Sequence, residues 1–236
     1  MKEKLTAFLL SFVSGFVDTA GFIALGGIFT AHVTGNFVLA GASIVRSDME
    51  AVFPKLLMFP VFVAAVGATY LFSRRIERIG RNPLIVLMIF EAVFLCAFAI
   101  IGWYFQPSLN VKMTESQVIT AGALGVIAMA MQNAFMKLYL RKMTMTTVMT
   151  GNVTQFSIDL AHCFFRRFKS EDESEDYAEI SRRMKKIGIV ISGFLAGAVG
   201  GAILVFRFGL LSVVLAAGLI ILTAFLIENR EESHPN

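Results

Sequence analysis

Thr30-Ala31-His32-Val33-Thr34-Gly35-Asn36 returns later in the chain as Thr146-Thr147-Val148-Met149-Thr150-Gly151-Asn152, with Thr34 and Thr150 116 residues apart. A Thr-x-x-x-Thr-Gly-Asn pattern repeated at that distance divides one integral membrane domain into two related halves, 1–110 and 111–236. Each copy interrupts an apolar stretch with cap and turn residues. Paired interruptions at corresponding places in two halves are a sequence mark of a transporter's solute site.

The surrounding stretches are of membrane length. Of 236 residues 56% are hydrophobic and 23 are Phe, and the mean hydropathy of +0.72 is too high for one soluble core. Runs of about 20 residues, enough to cross about 30 Å of hydrocarbon, lie near 5–25, 52–73, 84–103, 117–139, 187–206 and 208–227. Six crossings are expected. The first is expected to stay in the protein, because it carries Asp18 and lacks the small-residue cleavage site of a signal peptide.

Arg74, Arg75, Arg78 and Arg81 crowd the link between the second and third crossings, and the positive-inside rule puts that link in the cytoplasm. Alternation then makes both termini cytoplasmic. Of the 21 Lys and Arg, the outer side keeps Arg46, Lys55, Lys112 and Arg207, and Lys137 sits near the inner end of the fourth crossing. This requires that 29–45 and 145–165 do not cross. Both read as broken re-entrant segments whose half-helices start near the Thr-Gly-Asn triplets. About ten helical residues reach roughly 15 Å, half the hydrocarbon. Non-helical backbone at that depth needs protein or a wet cavity to satisfy it. The fold class expected is an all-α polytopic membrane protein, six transmembrane helices plus two re-entrant segments in an inverted 3+3 repeat. The charged link 166–186 reads as a solvated cytoplasmic loop or surface helix with no chemistry of its own.

Ser14-Gly15-Phe16-Val17-Asp18-Thr19-Ala20-Gly21-Phe22, followed by Leu25-Gly26-Gly27-Ile28-Phe29 and the first Thr-Gly-Asn copy, closely resembles the YoaK-like family of bacterial inner-membrane proteins of unknown function. The resemblance spans nearly the whole chain. It implies a bacterial plasma-membrane location and supplies no substrate and no site residues to carry over.

Thr34 or Asn36, and Thr150 or Asn152, can cap the first turn of a half-helix, while Gly35 and Gly151 admit a close neighbour. The first helical amides would then point at a ligand. Two such N-termini, each equivalent to about half a positive charge, favour an anion or carboxylate. The alternative is a pair of capped kinks with a packing role. Asp18 shares a small, polar face with Ser11, Ser14, Gly15 and Gly21, and in the fourth crossing Gln132 and Asn133 share a face with Gly122, Gly125 and Met129. Asp18 and Asn133 are expected to form a pseudo-symmetric pair beside the two triplets. Asp18 is a candidate proton carrier or a carboxylate that caps freed backbone. Glu91, between Phe90 and Phe94, is a second candidate carrier or a structural or dimer contact. His32 titrates near neutral pH or packs as a neutral ring. Asp159 either lines an inner vestibule or neutralises Arg166 and Arg167.

Gly193-x-x-x-Gly197-x-x-x-Gly201 permits close helix approach, within the bundle or between subunits. The methionines near the fourth crossing lack the Cys partners or regular spacing of a metal path, and Cys96 and Cys163 make no disulfide framework. No nucleophile–base set, metal-ligand cluster or phosphate loop is present, so neither an enzyme nor a cofactor is expected. Expected partners are the lipid bilayer, anionic lipid heads at the basic face rather than nucleic acid, a small solute, and a possible second copy. The function expected is a small-solute secondary transporter or channel, with anion or carboxylate selectivity and proton coupling as candidate properties. Its solute site comprises Thr34, Gly35, Asn36, Thr150, Gly151, Asn152 and Asn133; the alternative is a non-transporting scaffold or partner protein.

Overall fold

A computed structural model describes residues 2–166 and 174–231. Among them the regular structure is entirely helical: α1 (Lys2–Ala24), α2 (Gly35–Val45), α3 (Val52–Arg78), α4 (Pro83–Phe105), α5 (Glu115–Tyr139), α6 (Met149–Arg166), α7 (Ser174–Phe208) and α8 (Val214–Glu231), with short 3-10 turns before α3 and α8. Starts and stops follow local chemistry. Asn82 accepts from the Leu84 amide ahead of α4, with Pro83 at the first helical position. Thr114 and Gln117 form a reciprocal capping box on α5. Gly80 and Gly209 take φ of +72° and +61°, breaking the chain after α3 and after α7.

Five stretches are long and apolar enough to cross a membrane: Glu3–Ala24, Met49–Arg78, Pro83–Phe105, Glu115–Tyr139 and Ala178–Asn229. The last, 52 residues long, takes in most of α7, the turn at Gly209–Val213 and most of α8. In the charged link, expected as a loop or surface helix, 174–186 is helical and forms the first part of α7, while 167–173, including Arg167, lie outside the described residues. Ala178, Glu179, Arg182, Arg183, Met184, Lys185 and Lys186 are helix formers that let the apolar run extend backwards.

α1 packs along α7 and α8, α5 packs along α3 and α4, α4 meets α8, and the short α2 and α6 lean on α3 and α7 respectively. α1 and α5 are the spans most enclosed by protein, and α3 is the least. α1 and α5 run antiparallel: Gln132 bonds the Leu10 carbonyl, and the Thr30 methyl lies between Gly21 and Gly125. The glycine stripe of α7 is an intramolecular seam. Gly193, Gly197 and Gly201 lie against the backbone of Phe8, Phe12 and Phe16, and a Cβ on Gly193 or Gly201 would sit 2.7 Å from a carbonyl oxygen of α1.

Buried Asp159 ties α6 to α7. Its carboxylate accepts from Arg183 Nε at 2.9 Å and Nη2 at 2.6 Å, and from Gln155 Nε2 at 2.8 Å. The partner is thus Arg183. The guanidinium bonds hold the Asp159 carboxyl below the usual carboxylate range, outweighing the opposing effect of its burial. A depressed folded-state value means stabilisation that is present above the ordinary carboxylate range and lost as pH falls through the lowered value. Amide exchange in α6 is therefore expected to rise as pH drops below about 4, after correction for intrinsic exchange. Asp159→Asn should show that faster exchange already at neutral pH. Identical profiles for the two proteins would remove the role assigned to the pair.

Candidate functional site: two chain breaks beside the α1–α5 seam

Residues 25–34 leave α1 without helix, so their peptide groups need partners other than lipid. Side chains of the flanking helices supply them. Asp18 Oδ1 accepts from the amides of Ala31 at 2.7 Å and His32 at 3.2 Å, and Oδ2 lies 2.7 Å from His32 Nδ1. Asn36, fully buried, clamps the backbone of one residue on both sides: Oδ1 accepts from Phe29 N at 2.8 Å and Nδ2 donates to Phe29 O at 2.9 Å. The second break is served in a related way. Asn152 Nδ2 donates to Met145 O at 2.7 Å, reaching back the same seven residues. Asn133 Oδ1 accepts from Thr147 Oγ1, and Asn133 Nδ2 donates to Met129 O at 2.9 Å. Asp18 and Asn133 therefore each hold the chain immediately before a Thr-Gly-Asn triplet.

At the first triplet no cradle of free amides forms, and at the second the Asn152 amide is likewise taken. The amides of Gly35, Asn36 and Phe37 donate to the carbonyls of His32, Val33 and Thr34, and the Asn152 amide donates to Val148 O. Thr34 makes no capping bond, because its backbone is already helical at φ −67° and ψ −24°. Gly35 makes room for the Phe29 ring, 3.0 Å from where a Cβ would stand, and Gly151 faces Val148. Thr34 and Thr150 are exposed, and no hydrogen bond joins the two triplets. The halves meet at Gln132 instead, whose Nε2 donates to Leu10 O at 2.8 Å and Thr146 Oγ1 at 2.9 Å.

Several polar atoms beside this bridge have no partner: Ser14 Oγ, Thr30 Oγ1 and Gln132 Oε1 are buried and unbonded. Buried oxygens without hydrogen bonds are uncommon and call for water or a ligand. Sequence reasoning put Ser14 and Gln132 on polar faces but left Gln132, Thr146 and Thr147 out of the site. The repeat itself held the signal, since Thr146 is the equivalent of Thr30. His32 sits edge-on to Phe29 and Phe194, with 32% of its side chain exposed. If Nδ1–H donates to Asp18, Nε2 is left to titrate. Glu91 stands apart on α4, fully buried, with neither carboxyl oxygen bonded.

Cavities open at both ends of α1. One of about 350 Å³ is lined by Ala24, Gly26, Asp48, Lys55, Lys112 and Glu115 among others. At the opposite end a cavity of about 170 Å³ meets Glu3, Lys4, Met143, Thr144 and Lys186. It adjoins one of about 540 Å³ that also reaches Lys142, Ala178 and Glu179. Tyr139 Oη donates to Glu77 at 2.8 Å, bringing the arginine-rich α3–α4 link to this basic end. Ser14 lies between, near mid-length of α1, and Asp18 stands farther toward the Ala24 end.

Membrane-length helices, two broken segments and buried polar residues at mid-helix define a polytopic α-helical membrane protein. The chain belongs to the family described as "Protein of unknown function (DUF1275)", whose profile matches residues 6–226. It is similar to the UPF0700 transmembrane protein YoaK of Bacillus subtilis (strain 168), 29% identical over 170 residues that cover 68% of this chain and 69% of that protein. The resemblance noted in the opening motif agrees with both. No solved structure matches the chain.

Proposed function

We propose that the protein is a small-solute secondary transporter or channel of the bacterial inner membrane, with its pathway along the α1–α5 seam. The carrying observation is the set of unbonded, buried oxygens on Ser14, Thr30 and Gln132, lying along α1 between cavities that open at its two ends. The proposed topology is six crossings, two re-entrant segments and an inverted repeat. At 1.5 Å per residue the last apolar stretch would extend about 78 Å, so α7 and α8 count as two crossings. Residues 24–26 and 48–55 line one cavity, so the chain that includes α2 returns to the end it left. Residues 142–144 and 178–186 line another at the opposite end, so the chain that includes α6 does the same there. Helix neighbours also correspond when α1–α4 are exchanged for α5–α8: α1 with α7 becomes α5 with α3, and α2 with α3 becomes α6 with α7. The gathering of basic links at the Lys4 end supports cytoplasmic termini.

Because the helix-start amides are bonded internally, selection falls to side chains of the seam rather than to helix dipoles. Asp18 with His32 is the proposed proton-coupling pair, with Glu91 as a separate carrier. The scaffold reading draws on the same clamps, since Asn36 and Asn152 are occupied by backbone. Purified protein in liposomes, with inner and outer pH set independently, tests the proposal. Solute flux should depend on the pH gradient, and Asp18→Asn, which keeps an acceptor for the two amides, should flatten that dependence about 10-fold or more. An unchanged pH profile in Asp18→Asn would remove the coupling role. Absence of flux and binding across a broad solute panel would leave the scaffold.

A further inference from the structure

Five charged side chains of both signs line the cavity of about 350 Å³ at the Ala24 end: Asp48, Glu50, Lys55, Lys112 and Glu115. None forms a direct ion pair with another, although Asp48 acts on Lys55 electrostatically and ion pairs form elsewhere in the chain. Lys55 is the unusual member. It is only 5% exposed, and its ammonium donates to Ser43 Oγ and Ala51 O, both at 3.3 Å and both neutral. A buried lysine is normally matched by a carboxylate or has its stem buried and its head in water. Here an ammonium with three donors has two long bonds to uncharged oxygens. One proton is left over, beside a cavity. In the same wall Gln106 is buried, its Nε2 donating to Val111 O and its Oε1 unbonded. The rim carries the exposed carboxylates of Asp48, Glu50 and Glu115, and Ile23, Leu25 and Val118 supply apolar lining.

An anion alone would satisfy Lys55 but would meet three carboxylates. A cation alone would satisfy those and leave Lys55 unpaired. A molecule carrying both charges answers both, with a carboxylate on Lys55, an ammonium toward the acidic rim and one N–H toward Gln106 Oε1. The volume lies within the roughly 300–1,000 Å³ range of small-ligand sites. We infer that this vestibule is a binding site for a small zwitterion of the amino-acid type, its carboxylate recognised by Lys55 and its ammonium by the rim carboxylates of Asp48, Glu50 and Glu115. The inference rests on the transport reading for its biological use, since it names the class of solute met at one mouth of the seam.

The test separates the two. Purified protein is titrated with the neutral amino acids as zwitterions, with propionate as the carboxylate alone and with propylamine as the amine alone, following thermal unfolding and calorimetric binding. At least one amino acid should bind and raise the unfolding temperature, and neither half-molecule should match it at equal concentration. Lys55→Met, which keeps the stem, should weaken binding by about 10- to 100-fold, and Lys55→Arg should restore much of it. Should Lys55→Met fail to fold, Gln106→Leu with Glu115→Gln gives the second reading, again expected to weaken binding. No binding by any amino acid, or propionate binding as well as alanine does, overturns the inference. Liposome flux distinguishes the readings: flux of a solute without a zwitterionic centre through the same protein also overturns it while transport stands. Zwitterion binding without flux leaves the site and removes transport.

Discussion

Gly197→Ala is expected to abolish the close packing of α1 on α7. A single methyl at this position would collide with the Phe12 carbonyl, and Gly193 and Gly201 meet Phe8 and Phe16 backbone in the same register. The obstacle is helix backbone, which cannot rotate aside as a side chain does, so the two helices must separate along their length. Overpacking of a filled core typically costs about 1–3 kcal/mol, and a backbone clash belongs at or above the upper end. The control is Gly67→Ala on α3, where a Cβ meets nothing within 4 Å and the change gains about 1 kcal/mol of helix propensity. Thermal unfolding in detergent should therefore fall sharply for Gly197→Ala and hold or rise for Gly67→Ala. Equal behaviour of the two would mean that α1 and α7 are not in this contact.

Asn36→Leu is the second large effect, and its expected outcome is loss of fold rather than selective loss of solute. Leucine is nearly isosteric but removes both bonds to the Phe29 backbone, leaving a part-buried N–H and C=O unpaired at up to about 1–3 kcal/mol each. Asn152→Leu removes one such bond, from Nδ2 to Met145 O, at a site 9% exposed, so its effect should be smaller. Amide exchange across 25–45 and 140–160, with thermal unfolding, checks the order. A folded Asn36→Leu protein of normal stability that fails to bind a confirmed solute would return Asn36 to the ligand site.

Local chemistry explains what could be read before any coordinates. Each of the six expected crossing runs falls largely within one helix, because a 20-residue apolar window carries its own signal. Asp18 stands out in sequence as an ionisable residue among apolar ones, and capping of freed backbone is one of the two roles expected of it. Which amides it bonds, those of Ala31 and His32, depends on how residues 25–34 fold back against α1. The fate of the Thr-Gly-Asn amides was equally hidden. A capped helix start, a ligand cradle and a 3-10 turn all use these residue types, and only the positions of the His32, Val33 and Thr34 carbonyls choose among them.

Lys55 and Gln132 mark the boundary most clearly. In sequence, Lys55 is an ordinary interfacial lysine near a helix start and Gln132 an amide on one helix face. Burial without an ion pair in the first case, and a bridge from α5 to α1 and Thr146 in the second, arise from segments 12 and 122 residues away. By itself the sequence determined the membrane class, the helical runs and the doubling of the Thr-Gly-Asn motif, because hydrophobicity and turn chemistry act over a few residues. Tertiary structure alone decided which polar groups satisfy one another and which are left to face a cavity, because a hydrogen bond is a match of position that spacing along a chain does not encode.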